Sequence, residues 1–222
     1  VKKRYVDSLS HSKVIGIYNL NDDIMHDNNQ KQFSNVLKKQ LKKHDLIIVS
    51  DYGHGFISKK NAIEICRKSK FLALNAQVNS SNIGYHTIRN YNNFNTLVIN
   101  EKEIRHEMRD KSEKLELLMK KLSISKNIQN LIVTKGEAGS VLYNKTKNKF
   151  IYSSAFADKV VDKVGAGDTM LSIIGPCIKL KMDQEATMLI GALAAAQSVE
   201  IIGNKQSIDK LKMLKTLENF LK

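Results

Sequence analysis

The stretch DKVGAGDTML at residues 162–171 is the most informative part of this sequence for the fold. Upstream, residues 150–152 and 160–161 are aromatic and β-branched, which predicts extended backbone. Downstream, Leu171, Ile174 and Ile178 recur at helical spacing. Glycines at such a strand-to-helix turn let the backbone approach a ligand, and the free N–H groups of a first helical turn attract anions. The sequence therefore predicts an anion site at the start of a helix.

Asp168 puts a carboxylate inside that site, where phosphates would repel it. The arrangement makes chemical sense if Asp168 takes a proton from an incoming hydroxyl while the N–H groups hold a phosphoryl group. The alternative is a first-turn acid that the helix dipole favours. A Gly-x-Gly motif alone is weak support for function, whereas the full run Asp-x-x-Gly-Ala-Gly-Asp-Thr is far more specific.

The composition is that of a globular chain. Its 222 residues suffice for one domain or two small ones, and 42% are hydrophobic and 26% charged. No stretch approaches the roughly 18 apolar residues of a membrane span, and no apolar segment of a signal peptide follows the charged first residues. Cys66 and Cys177 form no C-x-x-C pair, which predicts buried free thiols in a reducing cytoplasm.

The net charge of +14 raises the question of nucleic-acid binding. The lysines are scattered, however, and their pairs lie in predicted helices beside apolar residues, at residues 38–39, 42–43, 59–60 and 120–121. This is how solvated helix faces look. We therefore expect no nucleic-acid partner, and the milder consequence of the charge is attraction of anionic nucleotides.

Short apolar strands alternate with helices along the chain. Strands are predicted near residues 46–49, 71–74, 96–99 and 130–134, a hairpin over 140–143 and 149–153, and helices near 30–43, 58–68, 112–122, 167–181, 183–199 and 207–221. This alternation predicts βαβ units and a mainly parallel sheet. Ligands bind such sheets beyond the carboxyl ends of the strands, and the polar and glycine-rich clusters follow the strands. We therefore expect these clusters to converge on one rim.

Several motifs together resemble the ribokinase-like (PfkB) family of carbohydrate kinases. The stretch at 162–171 resembles the family signature, and SDYGHG at 50–55 is similar to the SDYGKG of its heptose-phosphate kinases. NEKE at 100–103 and VTKGEAG at 133–139 match the family's Asn-x-x-Glu and Thr-x-Gly-x-x-Gly. NAQVNS at 75–80 is similar to kinase domains that are paired with a nucleotidyltransferase in nucleotide-sugar or surface-polysaccharide pathways.

The resemblance implies an α/β ribokinase-like fold, in which helices flank a mainly parallel sheet. Residues 1–20 would be extended, lid-like strands, and residues 21–222 the carboxy-terminal part of the kinase domain. In relatives such strands form a dimer clasp, which implies a homodimer. The family's first hundred or so residues have no counterpart here, so we expect a longer protein, completion by another chain, or fusion to or pairing with a nucleotidyltransferase.

The resemblance also implies the active-site residues. The general base would be Asp168, and the anion hole would be Gly165, Ala166 and Gly167. ATP would lie along Thr134, Lys135, Gly136, Glu137 and Gly139. Asp162 would belong to the same nucleotide site, where it would position the loop before the helix. Asn100 and Glu103 would order Mg²⁺, which needs only one or two protein carboxylates because it keeps several waters. A sugar or sugar phosphate would contact Asp51, Gly53 and Asn75.

Each of these residues also has a simpler interpretation. Asn100 and Glu103 can be a helix cap and a first-turn acid, Lys135 an exposed side chain and Asp51 a turn former. Two departures bear on the ligands: His54 replaces the lysine of the heptose-phosphate kinases, and Gly191 or Ala192 stands where many relatives have Asn near the adenine. The rival functions are a non-catalytic nucleotide- or sugar-binding module and a nucleoside or vitamin kinase on the same fold.

Overall fold

A computed structural model describes residues 2–7, 13–19, 25–78, 87–202 and 205–220. The strands are β1 Lys2–Val6, β2 Lys13–Tyr18, β3 Ile47–Asp51, β4 Leu72–Ala76, β5 Phe94–Asn100, β6 Ile128–Thr134, β7 Ser140–Asn144 and β8 Lys149–Ser153. The helices are α1 Asp27–Lys43, α2 Lys59–Lys68, α3 Glu101–Met108, α4 Leu115–Lys126, α5 Ala166–Lys179, α6 Gln184–Val199 and α7 Lys210–Phe220.

Strands β3 to β8 form one six-stranded sheet in sequence order. The pairs from β3 to β6 are parallel, and the pairs β6–β7 and β7–β8 are antiparallel. The predicted mainly parallel sheet and the hairpin predicted over residues 140–153 are therefore both confirmed. Strands β1 and β2 pair with each other as a separate antiparallel ribbon. Val14, Ile15 and Ile17 on that ribbon are exposed. Its predicted roles as a lid and a dimer contact stay predictions.

The sheet is covered by helices on both faces, because successive side chains of its parallel strands alternate between two apolar cores. On β4, Leu72 and Leu74 face the core shared with α1 to α4, whereas Ala73 faces the core shared with α5 and α6. Strands β5 and β6 alternate in the same way. This double burial explains why the strands appear in the sequence as continuous apolar runs.

Local chemistry explains where the elements begin. Ser58 is the N-cap residue of α2, since its hydroxyl accepts the main-chain N–H of Asn61. Helix α4 begins at Leu115 rather than near residue 112. The reason is that the Asp110 carboxylate accepts the main-chain N–H groups of Ser112 and Glu113 and holds these residues in a turn. The predicted extended segment at 160–161 was not found as a strand. The N–H of Val161 instead donates to the carbonyl of Val199 at the end of α6.

Two composition-based expectations can be compared with the described residues. Cys66 and Cys177 are free, as predicted, but each is only partly buried. Burial raises the pKa of both thiols, which disfavours the reactive thiolate. Among the described helices, none combines the length and the apolar character that crossing a membrane requires.

The contact between α5 and α6 gives a packing prediction. A Cβ on Gly191 would lie 2.6 and 2.7 Å from two side-chain carbons of the buried Ile174. Replacing a helical glycine by alanine normally gains about 1 kcal/mol, but overpacking a core costs about 1–3 kcal/mol. We therefore expect Gly191→Ala to lower the free energy of unfolding in chemical denaturation. Adding Ile174→Val, which removes one of the two carbons, should recover part of the loss. A more stable Gly191→Ala protein would contradict this packing.

Candidate active site

A cleft of about 1270 Å³ runs along the carboxyl ends of the parallel strands. It is lined by residues from the ends of β4, β5 and β6 and from the start of α5, among them Asn75, Asn100, Thr134 and Gly165. These four residues are up to 90 positions apart in the sequence, and the parallel sheet brings them to one rim. The convergence that the sequence predicted is therefore present.

The start of α5 forms one wall of this cleft. Gly165 is the N-cap residue, with a φ of 88° that favours glycine, and no side chain caps the helix. The first N–H groups of α5 therefore lack a helical partner, and residues 165–168 all line the cleft. A Cβ on Gly167 would make only an ordinary 3.5 Å contact with the Asn75 amide. The backbone thus requires glycine at 165 rather than at 167.

Asp162 organises the loop that leads to this helix. Its carboxylate accepts the N–H of Val164 at 3.0 Å, and its own N–H donates to the carbonyl of Val199. Asp162 does not line the cleft, so its geometry matches a loop-positioning role. Its assignment to nucleotide binding remains a prediction.

The Asp168 carboxylate accepts hydrogen bonds from three side chains at the carboxyl ends of β3 and β4. Its Oδ1 accepts from Ser50 Oγ at 2.6 Å, its Oδ2 accepts from Tyr52 Oη at 2.9 Å, and Gln77 Nε2 lies 3.2 Å from both oxygens. Sequence reasoning assigned no role to these three donors, although all lie in the tracts at 50–55 and 75–80. Burial raises the pKa of Tyr52, and the neighbouring Asp168 charge acts in the same direction.

Asn100 and Glu103 form a reciprocal capping box at the start of α3. Asn100 Oδ1 accepts the N–H of Glu103 at 2.9 Å, while Glu103 accepts the N–H groups of Asn100 at 2.8 Å and Val78 at 3.2 Å. Asn100 is exposed at the end of β5, whereas Glu103 is buried, with 8% of its surface exposed. Burial raises its pKa, the Asp168 charge adds to the rise, and the backbone donors oppose it.

This pair can also take part in a magnesium site. Both residues line the cleft, and each oxygen of the Glu103 carboxylate has acceptor capacity beyond its single backbone hydrogen bond. A divalent cation would compensate the negative charges of the buried Glu103 carboxylate and of the neighbouring Asp168. Within the described ranges no group of three His, Cys, Asp or Glu side chains could hold a metal by itself. Water and ligand phosphates would complete the shell, which is usual for Mg²⁺.

The turn after β6 forms the facing wall. Thr134, Lys135, Gly136, Glu137 and Gly139 all line the cleft. Gly136 and Gly139 have φ values of 62° and 80°, and the Lys135 N–H donates to the Gly139 carbonyl at 2.8 Å. On α6, Ala192 rather than Gly191 reaches the cleft, together with Ala196. These residues give the cleft a tight polar turn beside an apolar surface.

The three residues assigned to the acceptor do not share one location. Asn75 lines the cleft, and its buried Oδ1 has no hydrogen-bond partner among the described residues. Asp51 is 7% exposed, lies outside the cleft lining, and accepts from the Gly53 N–H at 3.0 Å and from Tyr91 Oη at 2.7 Å. These contacts are those of the turn former that the sequence left as an alternative. Substrate contact by Asp51 and Gly53 remains a prediction.

Known proteins that are similar in sequence to this chain include one carbohydrate kinase family and two bifunctional proteins. The family model described as "pfkB family carbohydrate kinase" matches residues 17–211. The bifunctional protein HldE of Campylobacter concisus is 32% identical over 71% of this chain and 33% of its own length. HldE of Campylobacter fetus is 28% identical over 89% of this chain and 41% of its own length. The chain thus spans about two-fifths or less of these two relatives.

Solved structures show the same fold. Ribokinase from Thermotoga maritima superimposes with a TM-score of 0.66 at 20% identity, over 82% of this chain and 59% of its own. Phosphofructokinase-2 from Escherichia coli in complex with fructose-6-phosphate gives a TM-score of 0.75 at 10% identity, over 100% of this chain and 70% of its own. At these identities the likeness shows the α/β ribokinase-like fold alone.

The two turn glycines permit a matched test of the facing wall. A Cβ on Gly139 would lie 2.1 Å from the backbone oxygen of Ser153, whereas a Cβ on Gly136 would meet nothing within 4 Å. Both have positive φ, so Gly136→Ala should cost only the backbone strain of about 1–2 kcal/mol. We expect Gly139→Ala to lower the free energy of unfolding by at least about 2 kcal/mol more. Equal losses in urea denaturation would contradict the turn geometry.

The raised pKa of Glu103 predicts a pH dependence of stability. Its contribution is fully present below the ordinary pKa of 4.5 and is lost as the pH rises through the raised folded value. Glu103→Gln keeps a capping amide but cannot ionise, so its stability relative to wild type should increase from pH 4 to pH 7. The exposed Glu137→Gln is the control and should show no such trend. A flat difference for Glu103→Gln in thermal melts would disprove the effect.

Proposed function

Because the chain belongs to the pfkB family of carbohydrate kinases, as the match over residues 17–211 shows, we propose that it transfers the γ-phosphoryl group of ATP to a hydroxyl of a sugar or sugar phosphate. One observation carries the proposal. Asp168 lies in the first turn of a helix whose N–H groups are uncapped and line the cleft. An anion site with a carboxylate inside it suits the transfer of a phosphoryl group to a hydroxyl that must lose a proton.

In this proposal the chain supplies position and charge. Asp168 accepts the proton of the acceptor hydroxyl, and the N–H groups of residues 165–167 stabilise the charge on the transferred group. Phosphoryl transfer needs little covalent help from the protein, so such positioning accounts for most of the catalysis. Hydrogen bonds from Ser50, Tyr52 and Gln77, at the carboxyl ends of β3 and β4, keep the carboxylate oriented.

The nucleotide lies in this proposal along the turn of residues 134–139, with its base against the alanines of α6. Lys102, Lys135 and Lys163 line the cleft and favour an anionic ligand. Asn100 and Glu103 would hold Mg²⁺ through its waters. The ion would supply the charge that neutralises the phosphates. Asp162, which does not line the cleft, fixes the loop before Gly165 by accepting the N–H of Val164.

For the acceptor we propose a heptose phosphate. The similarity to HldE and the SDYGHG tract at 50–55 support this class. Asn75 offers the buried, unpartnered amide oxygen that a sugar hydroxyl can satisfy. The curated relatives are named bifunctional and are much longer than this chain, so function as one part of a kinase–nucleotidyltransferase assembly is part of the same proposal.

A second candidate is a nucleotide-binding module without turnover. It is favoured by the position of Asp51 and Gly53 outside the cleft lining, which leaves Asn75 as the one assigned acceptor residue that lines it in the described part of the chain. The two candidates differ in one result. A module binds ATP but phosphorylates none of a panel of heptose phosphates, hexose phosphates, free sugars, nucleosides and vitamins. Turnover on a nucleoside or vitamin would instead identify a different kinase of the same fold.

The test of the proposal is Asp168→Asn in the protein that carries this chain. We expect kcat to fall by about 10²–10⁴, the usual contribution of a general base. ATP binding should persist, because the substitution removes a charge that phosphates repel. The matched control is Asp162→Asn, the same substitution at a residue outside the cleft lining. It should lower kcat less than Asp168→Asn does. Near-native turnover in Asp168→Asn would reject the assignment.

A further inference from the structure

The Asp168 carboxylate has no acceptor position left for a substrate. An ionised carboxylate offers about four lone-pair positions on its two oxygens. Ser50 and Gln77 occupy Oδ1, while Tyr52 and Gln77 occupy Oδ2. A general base must accept a hydrogen bond from the hydroxyl that it deprotonates. One of these donors must therefore leave when the acceptor binds.

The three donors differ in how firmly the fold holds them. Ser50 belongs to β3, where it pairs with Asn75 of β4, and it lies outside the cleft lining. Gln77 is tied by its main-chain N–H to the Asp51 carbonyl at 2.9 Å, and its amide bridges both carboxylate oxygens. Both residues are held by the sheet on which the site is built.

Tyr52 is the donor that can move. It follows the last residue of β3, precedes Gly53 with its φ of 69°, lines the cleft, and is 39% exposed. Its hydroxyl donates to Oδ2 at 2.9 Å, the separation that a sugar hydroxyl would adopt on the same oxygen. Exchange of a phenol for an alcohol conserves the hydrogen bond, whereas loss of the Gln77 amide would remove contacts to both oxygens.

We propose that the Tyr52 hydroxyl occupies the acceptor-hydroxyl position on Asp168 in the free protein and is displaced when the sugar binds. The inference rests on the proposed role of Asp168 as the base. In this scheme Tyr52 is a specificity-determining residue: only an acceptor that places a hydroxyl on Oδ2 compensates for the lost phenol contact. Until then Tyr52 keeps water from that position and the carboxylate oriented toward the cleft.

The test compares two variants that each remove one hydroxyl from the same carboxylate. With saturating MgATP and a heptose phosphate as the varied substrate, Tyr52→Phe should lower the acceptor KM by about 3- to 10-fold, because no donor has to be displaced. Ser50→Ala should not lower it, because Ser50 stays in place when the sugar binds. An unchanged or higher KM in Tyr52→Phe would overturn the inference.

A second readout leaves Tyr52 unchanged. In wild-type protein labelled with ¹³C at the tyrosine Cζ, one signal should shift on addition of the heptose phosphate, and the same signal should already be displaced in Asp168→Asn. Saturating sugar phosphate that shifts no tyrosine signal would also overturn the inference. Failure of the proposed function has a different signature, namely full turnover in Asp168→Asn or no turnover in the wild-type protein. An inactive Asp168→Asn combined with an unchanged KM in Tyr52→Phe rejects the displacement alone.

Discussion

The uncapped start of α5 is the constraint on which the site depends. A helix begins with N–H groups that need partners, and most helices supply a side chain from the N-cap residue. Here the N-cap is Gly165, which has no side chain and occupies a left-handed conformation that other residues avoid. The fold therefore leaves these donors for a ligand and gives up the stability that a cap would add, about 1 kcal/mol.

The position of that helix start follows from the sheet. Helix α5 packs across β3, β4 and β5 through Met170, Leu171 and Ile174, so its first turn lies beyond their carboxyl ends. Two carboxylates meet there: Asp168 in the anion site and Glu103 in the capping box of α3. Burial and the Asp168 charge both disfavour ionisation of Glu103. A bound cation would act in the opposite direction and stabilise the ionised carboxylate. The site is thus suited to a ligand that brings phosphates and a metal ion together.

Much of this architecture was predictable because it is local. Strands buried on both faces leave continuous apolar runs, and the predicted mainly parallel sheet flanked by helices was confirmed. The predicted ends of the strands were less accurate. Strand pairing continues through polar residues such as Ser50, Asn75 and Asn100, because the backbone of a polar residue pairs with a neighbouring strand as well as that of an apolar one. The prediction at 160–161 was wrong because β-branched residues form a strand only where a partner strand is available.

The contacts that set the chemistry were not predictable. Ser50, Tyr52 and Gln77 reach Asp168 across 91 to 118 residues of sequence, and no local pattern encodes such a contact. The Glu103 carboxylate likewise accepts the N–H of Val78, which follows another strand. Asn100 and Glu103 were assigned to Mg²⁺ because they match the family's Asn-x-x-Glu motif, and the same two residues form a capping box. The two roles are compatible, because the box aligns a carboxylate whose remaining acceptor capacity lies in the cleft.

We propose that this rim is a nucleotide-phosphate site assembled from strand ends and the start of α5. Calorimetric titration of ATP into the protein, with Mg²⁺ and then with EDTA, tests it most directly. We expect one ATP bound per chain and an affinity that falls when Mg²⁺ is removed, since the metal offsets the charges of Asp168 and Glu103. A folded protein that binds no ATP, or that binds it equally well without Mg²⁺, would contradict the claim.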